Sequence, residues 1–212
     1  MERNRSDEKT RRKPSGAAVP RAELTEALYR AFFEEWAERG FSALSLERVA
    51  ARAGAGKAAI YRRFRSRLAF ADAAISTLGL RIALPETEKP TLEEEVFALL
   101  LRARAVLRHP LARRILPDLH AEAARSEEMR AINDRVAAAR REQAEALLDR
   151  AICRGELSEE VDRELALDLL VAPLYWRMVV RGVSPSRGDL AMQSRAITAG
   201  LKAAVNEKVP PQ

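Results

Sequence analysis

Residues 45–64, Ser-Leu-Glu-Arg-Val-Ala-Ala-Arg-Ala-Gly-Ala-Gly-Lys-Ala-Ala-Ile-Tyr-Arg-Arg-Phe, constrain the fold of this chain more than any other stretch. They predict a short helix, a glycine-bounded turn and a second short helix flanked by cations. Two helices at this spacing form a helix-turn-helix, whose second helix enters the DNA major groove while the first crosses the backbone. Val49, Ala50, Ile60 and Phe64 fall where such a unit needs apolar packing.

The rest of the chain is also written in helical periods. Leu24, Leu28, Ala31, Phe32 and Trp36 form a 3.6-residue stripe that stops at Gly40. Ser45 is a predicted N-cap, and Ser66 caps a fourth helix running from Arg67 toward Ile82. Pro85 to Pro90 breaks the pattern and predicts a domain boundary. Beyond it the sequence predicts helices from Thr91 or Glu93 to Arg108, from Glu127 to Arg154, from Asp162 to Arg181, and after Ser186. Pro117 predicts a broken stretch between the first two. Strand alternation and hairpin turns are scarce, so the fold class is all-α. Its expected parts are a flexible basic tail (1–20), a helix-turn-helix domain with a connecting fourth helix (21–84) and a helical-bundle body for ligand binding and dimerisation (85–212).

Charge agrees with that division. Residues 1–84 carry 17 Lys and Arg against 10 Asp and Glu, and residues 85–212 carry 20 against 21. Phosphate neutralisation drives DNA association, so a basic head on a neutral body suits a nucleic-acid binder, although a merely solvated basic surface has the same composition. The tail holds six Lys and Arg, which either track DNA or have no defined role. A single cysteine, no apolar secretory segment and no apolar run of the ~20 residues a bilayer requires predict a cytoplasmic protein without a membrane partner. Cys153 is expected as a small buried residue.

Base reading falls to the start of the second helix, Lys57, Ala58 and Ala59, through a lysine donor and two methyl groups. Lys57 reads a guanine or contacts a phosphate. With so few polar groups there, DNA shape carries part of the specificity. Arg62 and Arg67 are candidate phosphate contacts, as are Ser45 and Arg48 on the first helix; Gly56 caps the second.

In the body, His120, Tyr175 and Trp176 are candidate ligand-lining residues, with core or interface packing as the competing role for the two aromatics. Between Leu165 and Val180 only Asp168 and Arg177 are charged. A helix apolar on most sides must be covered twice, which predicts a dimer interface using Leu169, Trp176, Ile197 and Leu201. His109 and His120 lie eleven apart without a cysteine pair, so no metal or cofactor site and no catalytic constellation is expected.

These motifs resemble the TetR family of bacterial transcriptional regulators. The similar positions are Trp36 before Gly40-Phe41, Val49-Ala50, Ala53-Gly54 and Tyr61-Arg62-Arg63-Phe64, with a departure at Gly54-Ala55-Gly56, where Gly-Val-Ser is common in the family. Arg154-Gly155-Glu156-Leu157 and Pro173-Leu174-Tyr175-Trp176-Arg177 are similar to a C-terminal type found in part of it. The resemblance implies a homodimeric repressor that reads a pseudo-palindromic double-stranded DNA operator and is released by a small-molecule effector. It also implies that the Tyr61 hydroxyl reaches a phosphate. Competing expectations are a non-specific DNA-binding protein, or an all-helical carrier or enzyme with a vestigial head.

Overall fold

The computed structural model of the 212-residue chain describes residues 21–77 and 90–205. The expected basic tail, the far end of the fourth helix and most of the Pro85–Pro90 break lie outside the described residues. Within them the chain is all-α. Helices α1 (Arg21–Arg39), α2 (Leu46–Arg52), α3 (Lys57–Tyr61) and α4 (Arg67–Thr77) form the head. The body holds α5 (Leu92–Arg108), α6 (Pro110–Ala123), α7 (Glu127–Cys153), α8 (Arg163–Tyr175) and α9 (Arg187–Ala203).

Capping side chains define most of these starts. Ser45, Ser126 and Asp162 accept from backbone N–H groups of α2, α7 and α8. Thr91 with Glu94, and Ser186 with Asp189, build reciprocal capping boxes on α5 and α9. His109 ends α5, and its Nδ1 accepts from the Leu111 N–H at 3.3 Å to open α6, with Pro110 at the first helical position.

Two proline positions are informative. The break expected at Pro117 is absent, because α6 runs through it. A helix-interior proline costs ~3 kcal/mol, and here Ile115, Leu116 and Leu119 are all buried around it, which offsets that cost. Pro173 has no N–H to donate within α8, and the helix then widens into a π turn, Trp176–Val180. There the Arg181 N–H bonds the Trp176 carbonyl at 2.9 Å.

The apolar side chains gather in two clusters, and α6 and α7 take part in both. Phe32, Trp36, Val49, Ile60 and Phe70 of the head pack with Ile115 and Leu119 of α6 and with Met129, Ile132 and Val136 from the first half of α7. Leu116 and the second half of α7 instead join Leu100, Leu170, Leu174, Ile197 and Leu201. Stacked Phe64 and Phe70, 4.1 Å between centroids, hold the end of the helix-turn-helix against α4. Cys153, expected inside, is exposed at the last residue of α7.

Candidate nucleic-acid interface and internal cavity

The α2–α3 unit is built as the sequence predicts at its turn. Gly54 takes the left-handed conformation at φ 66°, and Gly56 caps α3 from an extended backbone without a side-chain bond. Val49, Ala50 and Ile60 are buried, while Lys57, Ala58 and Tyr61 are exposed and Ala59 is half-buried. Lys57, Ala58 and Ala59 therefore stand together at the start of the second helix.

The charges around them are arranged in a way the sequence did not reveal. Glu47 sits among the groups expected to contact DNA. One of its oxygens accepts from the Tyr61 hydroxyl at 2.8 Å and pairs with the Lys57 ammonium at 3.0 Å, and the other accepts from the Ser45 hydroxyl at 2.9 Å. The Tyr61 bond first, and then Lys57, hold the Glu47 carboxyl down at about 2.

Two arginines expected on DNA brace the head itself. Arg48 bonds the buried Glu35 through Nε at 2.5 Å and the Ala43 carbonyl at 2.6 Å. Arg52 adds a second cation to Glu35 and chelates Glu38, so Arg48 and Arg52 join α2 to α1. Arg67 directs one nitrogen at the carbonyls of Phe41, Ser42 and Leu44 and lies over the Phe41 ring, 5.5 Å from its centroid. Arg48 and Arg67, both expected at phosphates, thus also hold the segment between α1 and α2. Arg62 is exposed, and among the described residues neither its side chain nor that of Arg65 has a hydrogen-bond or ion-pair partner.

Behind the head lies a cavity of about 690 Å³, within the range of small-molecule sites. Its wall is shared: Phe33 of α1 and Ile75 of α4 face residues of α5, α6, α7 and α8. Tyr175 lines it as expected, and the His120 ring packs edge-on against Tyr175 at 5.8 Å. Burial of that ring, and then the nearby Arg140, lower the His120 pKa from the ordinary imidazole range. Trp176, expected with Tyr175 as a ligand-lining residue, is absent from the cavity wall and is 57% exposed. Arg140, which no sequence pattern marked, projects into the cavity from the apolar side of α7 between Val136 and Ala144.

The second site residue the sequence missed is Asp118 on α6. One of its oxygens accepts from the Trp36 indole N–H at 2.6 Å and from the Phe41 N–H at 2.9 Å. Its neighbours in α6, Ile115 and Leu119, line the cavity. A single carboxylate thus connects the cavity wall to the end of α1.

On the outer face of the body, Leu165, Trp176, Val180 and Met192 are all exposed, and Leu169 and Ala172 lie between them along α8. Ile197 and Leu201, expected on this face, are corrected: they are 4% and 0% exposed inside the protomer, packed with α5 and α8. A stripe of larger side chains on α9 marked the inward side, and the outward side is made of Met192, Ala196 and Ala199. Among the described residues no group of acidic, histidine and cysteine side chains is arranged to hold a metal, and no helix is long and apolar enough to cross a membrane.

Comparison with known proteins covers both halves of the chain. Residues 27–74 match the family described as bacterial regulatory proteins, tetR family, and residues 85–203 match the tetracyclin repressor-like C-terminal domain. An uncharacterized HTH-type transcriptional regulator of Bacillus subtilis (strain 168), YdeS, is 30% identical over 171 residues, covering 77% of this chain and 82% of that one. Among solved structures, Salmonella enterica GusR superposes with a TM-score of 0.68 at 20% identity, over 90% of this chain and 99% of that one. A TetR transcription regulator from Haloarcula marismortui superposes with a TM-score of 0.64 at 16% identity, over 87% and 100%.

Proposed function

The chain belongs to the TetR family of transcriptional regulators, DNA-binding proteins rather than enzymes, and we propose that it is a homodimeric repressor released from its operator by a small molecule. The observation that carries the release mechanism is the cavity whose wall is shared between head helices α1 and α4 and body helices α5 to α8. A ligand there touches both parts at once, so it distinguishes head positions energetically, which is what a population shift requires.

The two heads of a dimer read half-sites ~34–36 Å apart, or a multiple of that, with Lys57, Ala58 and Ala59 at the base edges and Arg62 and Tyr61 at phosphates. Binding requires Glu47 to release Lys57 and Tyr61 to the DNA. A ligand wedged beside Ile115 and Leu119 moves α6, and Asp118 passes that movement to Trp36 and Phe41 at the end of α1. About 3 kcal/mol of coupling lowers operator affinity by about two orders of magnitude. The outer face of α8 and α9, with Leu165, Leu169 and Trp176, forms the dimer contact; its exposed apolar side chains in a single chain support that assignment.

Fluorescence anisotropy against DNA flanking the protein's own gene, with scrambled DNA of equal length, tests this reading. Saturable binding that survives scrambled competitor is expected. Equal, salt-sensitive binding to both DNAs identifies a non-specific binder instead.

A further inference from the structure

The cavity walls are almost entirely apolar, yet two arginines, Arg102 and Arg140, line it, and none of its described lining residues is acidic. Among the described residues the Arg140 side chain has neither an ion-pair nor a hydrogen-bond partner. Arg154, by contrast, is half-buried and reaches both Glu95 and Glu156. A guanidinium held beside apolar walls without an anion is costly, and a well-placed anion relieves that cost.

We infer that the cavity takes a molecule with an apolar body and a single carboxylate, whose headgroup is paired by Arg140. The surroundings of Arg140 support a defined headgroup position. Tyr175 lines the same cavity as Arg140, and the His120 ring, itself outside the lining, packs on the Tyr175 ring. Burial pushes the Arg140 pKa down and the Tyr175 pKa up, as expected for a cation and a phenol held out of water. A guanidinium does not deprotonate in proteins, and a phenol whose pKa is raised keeps its proton, so Arg140 is a cation and Tyr175 a hydrogen-bond donor. The planar guanidinium offers two parallel N–H bonds to a carboxylate, a fit an alcohol or amine lacks. The apolar body then lies against Leu99, Leu116, Val136 and Val171, and its far side meets Phe33 and Ile75 of the head.

As a ligand assignment this stands on the cavity alone; as the effector it rests on the function proposed above. The test uses decanoate and decanol, which share a chain and differ in the headgroup, each below its aggregation threshold. Their binding to the full-length protein is followed by displacement of the fluorescent probe anilinonaphthalenesulfonate. A charge-assisted bond predicts that decanoate binds roughly tenfold to a hundredfold more tightly than decanol. Arg140→Met, which keeps the stem length and removes the fork, is expected to erase that preference, and Arg140→Lys to retain part of it. Equal binding of acid and alcohol to the wild-type protein overturns the inference, as does binding of neither or a preference that survives in Arg140→Met. If Arg140→Met fails to fold, the wild-type ratio of acid to alcohol affinity decides by itself. Anisotropy on operator DNA separates the two claims: Arg140-dependent decanoate binding that leaves the DNA bound confirms the ligand chemistry and removes the effector role.

Discussion

Replacing Asp118 by alanine is expected to destabilise the protein by about 3 kcal/mol, although the residue lies in neither hydrophobic cluster. Its Oδ2 accepts from two donors, the Trp36 Nε1–H at 2.6 Å and the Phe41 N–H at 2.9 Å. Trp36 is 1% exposed and Phe41 7%, so water has little access to either donor once the carboxylate is gone. An orphaned buried donor costs ~1–3 kcal/mol, and two sharing one acceptor give about 3 kcal/mol when some relaxation is allowed. For a chain of this length that corresponds to a fall in Tm of roughly 6–12 °C. Asp118→Asn keeps an acceptor oxygen and loses only the charge, so it should fall by about 1 kcal/mol. Calorimetry at one fixed protomer concentration measures both, because dimerisation makes Tm concentration-dependent. The chain has two tryptophans, and NMR of the indole N–H protons shows directly whether the Trp36 bond is lost. A drop below about 2 °C for alanine, or equal drops for alanine and asparagine, refutes the bridging role. If the bridge also transmits ligand binding, Asp118→Asn should bind ligand normally and release DNA less completely.

Glu47→Gln frees Lys57 and Tyr61 and removes an anion from the DNA-facing surface, so affinity for any DNA should rise and the slope of log affinity against log salt should steepen by about 1. An unchanged slope in anisotropy titrations contradicts the competition between Glu47 and phosphate. The Glu47 carboxyl is held at about 2, first by Tyr61 and then by Lys57, so Tyr61→Phe should raise it only part of the way to the ordinary glutamate value in a carboxyl-detected NMR titration. Because its folded pKa is depressed, the stabilisation from Glu47 is complete above the ordinary glutamate range and is lost as pH falls toward 2. Trp176→Arg places a charge on the exposed side of the π turn that follows α8, and light scattering should then report monomers with a retained helical signal; an intact dimer removes that surface from the interface.

Helix positions were legible because they depend on local chemistry. Ser45, Thr91, Ser126, Asp162 and Ser186 cap the backbone within three residues of themselves, and a stripe such as Val96, Leu99, Leu100, Ala103 and Leu107 buries one side of α5 whatever it meets. Trp176 and Ile197 were harder to place. On a helix that is apolar on most sides, periodicity does not say which side meets the core, and only the packing of α8 and α9 on α5 turned Ile197 inward and left Trp176 outside.

The sequence by itself determined an all-α chain, its helix-turn-helix and the methyl-rich start of the recognition helix, since caps, glycine turns and apolar spacing act over a few residues. Only the tertiary structure decided what the charges do. Glu35 and Arg48 meet across α1 and α2, Asp118 reaches Trp36 over 82 residues of chain, and Arg140 is left without an anion inside an apolar cavity. A charged side chain takes its role from its nearest opposite charge, and here that neighbour is set by how distant helices pack.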